Sequence, residues 1–141
     1  MMSSANQPDG PAPVKGGLVP YLTVAGAMKA AEFYVRAFEA EIITAMPVDD
    51  QGRTMHVHLH VNGASLMLGD AFPEHGHSLQ PPQAFALMLM VDDIDGRYAH
   101  AVAAGATAVM PPADMFWFWG DRYGQLRDPF GVLWAMNQQK R

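Results

Sequence analysis

One order of elements occurs twice along the chain. The stretch "GLVPYLTV", Gly17 to Val24, is β-branched and aromatic and reads as a strand, with the proline near its start suiting an edge. In "AMKAAEFYVRAFEAE", Met28, Ala31, Phe33, Tyr34, Ala37 and Phe38 recur at spacings of three and four, which predicts an amphipathic helix. Three strands follow: "EIITAMPV", "TMHVHLHV" and "ASLMLGD". Asn62-Gly63 joins the last two as a tight hairpin, because both residues accept the positive φ that such a turn needs. After a loop rich in Pro, Gly and His the order restarts with "AFALMLMV", the acidic helix start "DDIDG", and "RYAHAVAAGA" closed by Gly105. "TAVMPP", the aromatic "DMFWFWGDRYGQLRD", the turn "PFG" and "VLWAMNQ" complete it. Equivalent pieces lie about 67 residues apart, so the expected fold is α+β, built of two tandem strand-helix-three-strand (βαβββ) modules at about 18–72 and 84–138. Residues 1–17, polar and rich in Pro, Gly and Ser, read as a disordered lead-in to a single domain of residues 18–141.

Composition narrows the function. No apolar run approaches the roughly 18 residues of a membrane-spanning helix, and the lead-in lacks the basic flank and apolar segment of a secretory signal. A cytoplasmic protein is expected. With a formal net charge of −5 and no Lys/Arg cluster, neither nucleic acid nor an anionic membrane is expected as a partner. A small molecule is. The absence of cysteine removes thiol catalysis and thiolate zinc sites.

The duplicated unit, with "VPYLTV…AAEFYVRAFEAE" early and "WGDRYGQLRDPFGVLW" late, resembles the vicinal oxygen chelate superfamily over about Leu18 to Gln138. That group includes glyoxalase I, the bleomycin- and fosfomycin-resistance proteins and the extradiol dioxygenases. The likeness is greatest to its PhnB-like branch. The resemblance implies a glyoxalase/bleomycin-resistance/dioxygenase fold, a curved open mixed sheet whose concave side holds the ligand, and a homodimer. It also implies a divalent ion held by side chains on the first and last strand of each module, with coordination left open for two vicinal substrate oxygens. Laid on that pattern, this chain offers Val19 or Tyr21, then Met67, Ala86 and Ala135. Only Tyr21 has an oxygen to give, so no metal or other cofactor is expected.

"MHVHLHV" sets His56, His58 and His60 on one face of a strand, with Met55, Val57, Leu59 and Val61 on the other. Three readings are open: a ligand-facing cavity wall, a solvated face, or a two-histidine contribution to a displaced divalent metal site. The cavity wall is the one adopted, and it predicts anionic or oxygen-rich ligands that bind better as pH falls toward about 6.5. His75 and His77 read as solvated loop residues, and His100 as a residue of the second helix.

Phe116, Trp117, Phe118 and Trp119 cannot share one side of a strand, so two are expected in core or a dimer interface and two at a cavity or in solvent. Arg122 either clamps an anionic ligand group or pairs with Asp121 or Asp128. The eleven methionines, Met67, Met88 and Met90 among them, suit an adaptable apolar lining. The expected ligand-binding set is Tyr21, His56, His58, His60, Met67, Trp119 and Arg122, in a cavity between modules. Two alternatives stand beside this binding protein. One is an enzyme (lyase, isomerase or dioxygenase) using a displaced metal or histidine acid–base chemistry; the other is a dimeric domain with a vestigial cavity.

Overall fold

The computed structural model describes residues 13–140. The chain forms two four-stranded mixed sheets and two helices, the tandem βαβββ arrangement expected. The described residues divide into two compact units, 13–35 with 39–79, and 36–38 with 80–140. Among the described residues no helix is long and apolar enough to cross a membrane.

In the first unit β1 (Tyr21–Val24), β4 (Ala64–Asp70), β3 (Val57–Val61) and β2 (Glu41–Ala45) lie in the order β1-β4-β3-β2, with β1 parallel to β4 and the other pairs antiparallel. Alternation along the strands buries Leu22, Val24, Val57, Leu59, Val61, Leu66 and Leu68 on one face. Met55 departs from the expected stripe: it precedes β3 and is half exposed. The Asn62-Gly63 turn is as expected, with φ of 51° and 83° at its two residues.

Helix α1 (Ala27–Phe38) buries Ala27, Ala30, Ala31, Phe33, Tyr34, Ala37 and Phe38, while Met28 is only partly covered. It stops at Phe38, short of the expected end, because Glu39 turns left-handed at φ 57° and its neighbour Ala40 donates its N–H back to the Tyr34 carbonyl. The start of α1 has no cap from its own chain segment. Asp70, at the far end of β4, supplies one: its carboxylate accepts from Gly26 N at 2.6 Å, Ala27 N at 3.2 Å and Thr54 N at 2.9 Å. Gly69 beside it must be glycine, since a Cβ there would come within 2.5 Å of the Met55 carbonyl oxygen.

The second unit repeats the plan as β5 (Leu87–Met90), β8 (Leu133–Gln138), β7 (Asp121–Arg127) and β6 (Thr107–Met115), in the order β5-β8-β7-β6. Pro111 and Pro112 are tolerated in β6 because it is an edge strand and its register shifts between Met110 and Ala113. That shift packs backbone over Gly124, where a Cβ would meet Met110 O at 3.0 Å. Helix α2 (Ile94–Ala104) starts at Asp93, whose side chain accepts from Gly96 N, and ends at Gly105 with φ 126°. Gln138 at the end of β8 accepts from Ile94 N at 2.9 Å, the counterpart of Asp70 at α1. Leu89, Leu126, Trp134 and Met136 are buried in the sheet and Ile94, Tyr98 and Ala101 in α2. Phe38 belongs to this unit, its ring 4.4 Å from that of Trp134.

Candidate functional site

Each sheet has a second face, less covered than its buried one. In the first unit strand pairing sets Tyr21, Met67, His58 and Thr44 in one row across that face, with Ser65 and His60 in the next. Five of the expected ligand-binding residues, Tyr21, His56, His58, His60 and Met67, are therefore brought together. The histidines, however, already have partners. The Tyr21 hydroxyl donates to the Met55 carbonyl at 2.9 Å and is 2.9 Å from His56 Nδ1. A hydroxyl has one hydrogen, so His56 Nδ1–H donates to Tyr21 and Nε2 is the acceptor nitrogen of that ring. Partial burial raises the Tyr21 pKa and keeps its proton on.

His58 is 3% exposed, and its Nε2 shares a 2.8 Å hydrogen bond with Ser65 Oγ, which also accepts from Lys15 N. Ser65 N in turn donates to Lys15 O, and Pro13 O is 2.9 Å from His60 Nε2. Residues 13–17 of the expected disordered lead-in are thus hydrogen-bonded along the sheet; residues 1–12 lie outside the described residues.

Burial first, then the neighbouring His60 and His56, lower the pKa of His58. This runs against the expectation that binding strengthens on acidification, because His58 resists taking the proton that would attract an anion. The depressed folded-state pKa means that the unfolded chain binds this proton more readily. Stability from His58 is therefore complete above the unfolded value of about 6.5 and declines as pH falls from there toward the folded value. Urea midpoints between pH 7.5 and 5.5 should fall more steeply for the natural chain than for His58→Gln, which keeps a polar partner for Ser65 without titrating; parallel slopes would refute this.

Beside the row lies a cavity of about 310 Å³ lined by Tyr21, Thr23, Met55, Gly69, Asp70, Phe72 and His77. His77 is exposed, the solvated loop residue expected, and a two-way backbone pairing with Phe72 holds its loop beside the cavity. The alternation of "YLTV" carried a signal for Thr23; nothing local marked Phe72 or His77.

The second unit has a cavity of its own, about 230 Å³, lined by Met88, Met110, Met115, Trp117, Phe118 and Tyr123. Of these, sequence reading had named Met88 as lining. For the aromatic run it had allowed two of the four a cavity without saying which, and it had not singled out Met110, Met115 or Tyr123; the run itself is not a strand. It forms a 3-10 turn, Phe116–Phe118, closed by Trp119 at φ 54° and by the Gly120 N–H donating to Met115 O. Consequently all four aromatics are exposed, Phe116 by 86% and Trp119 by 78%, and none enters the core of the chain. Trp119 is not among the residues lining this cavity. Arg122 lies on the opposite strand face from Tyr123. It binds neither Asp121 nor Asp128: its guanidinium forks onto Asp95 at 2.9–3.2 Å and reaches Asp114 at 3.2 Å. Alternation along β7 decides this, turning Arg122 toward the first turn of α2.

Register also corrects the metal comparison. Tyr21 pairs with Met67, and Met88, not Ala86, pairs with Ala135, since β5 begins at Leu87. The four positions carry a phenol, two thioethers and a methyl group, a donor set that does not suit a hard divalent ion. Among the described residues no group of three or more His, Asp or Glu is placed to hold a metal.

Comparison with known proteins agrees with this architecture. A Mycobacterium bovis protein, the uncharacterized Mb0911c, is 38% identical over 134 residues, covering 91% of this chain and 86% of its own. The crystal structure of TioX from Micromonospora sp. ML1 superposes with a TM-score of 0.70 at 25% identity, covering 89% of this chain and 99% of that one. The PhnB protein from Bacillus cereus, described as a putative 3-demethylubiquinone-9 3-methyltransferase, shares the fold with a TM-score of 0.67 at 22% identity, over 88% and 100% of the two chains. Residues 18–136 match the family model for the Glyoxalase/Bleomycin resistance protein/Dioxygenase superfamily, and the chain belongs to that superfamily.

Proposed function

We propose that the protein binds a small, largely apolar molecule without a metal, and that the cavity of the second unit is where it does so. The observation that carries this reading is the lining itself. Three thioethers and three aromatic rings surround the space, and the Trp117 indole nitrogen and Tyr123 hydroxyl are the only side-chain nitrogen or oxygen atoms among the six. At about 230 Å³ it suits a ligand smaller than the drug-sized molecules of typical pockets, about 300–1,000 Å³. A cytoplasmic homodimer remains part of the proposal, the dimer supported by the exposed apolar Phe116–Trp119 turn.

The neutral fluorophore N-phenyl-1-naphthylamine tests the site. Saturable binding is expected, weakened about tenfold in Trp117→Ala, whose side chain is exposed and whose loss spares the fold, and little changed in Trp119→Ala. No saturable binding, or binding indifferent to Trp117, would refute the assignment.

An enzymatic reading rests on one feature of the first unit, the Tyr21–His56 pair beside the larger cavity, which leaves an imidazole nitrogen as a candidate base.

A further inference from the structure

The groups around the second cavity share a sign. The faces of Trp117, Phe118 and Tyr123 carry the negative lobe of the ring quadrupole, and the three methionine sulfurs present lone pairs. No cationic side chain is in the lining. Arg122 is turned to Asp95 and Asp114, and the Lys140 ammonium lies 3.6 Å from Asp114.

Two buried polar residues occupy the same sheet face directly beside the lining. Asp121 pairs in register with Met115, and Asn137 with Tyr123. They are 2% and 0% exposed. Asn137 Nδ2 donates to Asp121 Oδ2 at 3.0 Å, and Lys140 N donates to Asp121 Oδ1 at 3.2 Å. With its donor end held by the carboxylate, the amide turns its oxygen the other way. Among the described residues, Asn137 Oδ1 is a buried side-chain oxygen that accepts no hydrogen bond. Such an acceptor is destabilising unless a hydrogen-bond donor answers it. Neither residue lines the cavity, but both lie on the sheet face that carries Met115 and Tyr123, so the buried polar groups next to it add a negative carboxylate to the π faces of the lining, the electrostatics of a cation receptor rather than of a neutral apolar slot.

We infer that the second-unit cavity selects small organic ammonium compounds over neutral molecules of the same shape. This rests on the binding reading above and sharpens it to a ligand class: an apolar body carrying a protonated or quaternary nitrogen.

The experiment displaces N-phenyl-1-naphthylamine from the full chain with phenyltrimethylammonium or with tert-butylbenzene, its neutral isostere. The cation should displace at a concentration at least about tenfold lower. Trp117→Leu, which keeps an apolar wall and removes one of the three rings, should reduce that preference at least about threefold while tert-butylbenzene still displaces. Equal displacement by the two compounds would overturn the inference and leave a neutral apolar pocket, the binding reading intact. A preference left unchanged by Trp117→Leu would overturn it too, since the selectivity would then arise outside this cavity. If the fluorophore does not bind at all, the binding reading fails and the inference with it.

Discussion

Asp70→Ala lowers the unfolding free energy by about 3–5 kcal/mol, as expected for deleting a buried carboxylate that answers several backbone donors. Three N–H groups from separate stretches converge on it: Gly26 and Ala27 at the start of α1, and Thr54 ahead of β3. Asp70 is 8% exposed, so little water is at hand to replace the carboxylate. Its negative charge also complements the positive end of the helix dipole. Thr54, whose hydroxyl donates to Met46 O, shares the effect, because its segment approaches β4 closely enough to demand glycine at position 69. Asp70→Asn keeps one acceptor oxygen and should lose about half as much. Urea unfolding monitored by circular dichroism measures both; a loss below about 1 kcal/mol for the alanine variant would show that the three donors find other partners.

Asp128→Ala should cost about 2–4 kcal/mol for a related reason. In the turn before β8 one carboxylate oxygen accepts from Phe130 N at 2.8 Å and Val132 N at 3.0 Å, and the other from Trp134 Nε1 at 2.9 Å. Asp128 N returns a bond to Val132 O. Without the carboxylate the turn loses its closure, and the Trp134 indole, 2% exposed and packed on Phe38, keeps its N–H unanswered. Trp117 and Trp119 are 68% and 78% exposed, so the blue edge of the fluorescence reports on Trp134. It should shift to the red in the variant at denaturant concentrations where the natural chain is still folded; an unchanged spectrum and midpoint would refute the role.

These two aspartates differ in how visible they were. Asp128 stands in the Asp-Pro-Phe-Gly run that the family resemblance picked out, and its partners are two to six residues away. Asp70 ended a strand without any mark. Gly26 and Ala27 lie 44 and 43 residues away and reach it through the parallel pairing of β1 with β4, while Thr54, 16 residues away, comes through the β3–β4 hairpin. The histidines divide in the same way. That they share a face followed from their spacing. That His58 is buried and bonded to Ser65, which Lys15 N also engages, and so is shifted away from protonation, depended on how the segments pack. For Arg122, Asp121 and Asp128 were the carboxylates in view along the chain, whereas sheet alternation put it against Asp95 of α2 and Asp114 of the neighbouring strand.

What the sequence by itself determined is therefore what short-range physics encodes: the period of each helix and strand, the positive-φ turn at Asn62-Gly63, the acidic start and glycine stop of α2, and their twofold order. Tertiary structure alone decided the partners of each polar side chain and the lining of each cavity. Those depend on strand register, where a slip of one residue exchanges the two faces of a sheet, and on hydrogen bonds between segments whose meeting no local pattern records.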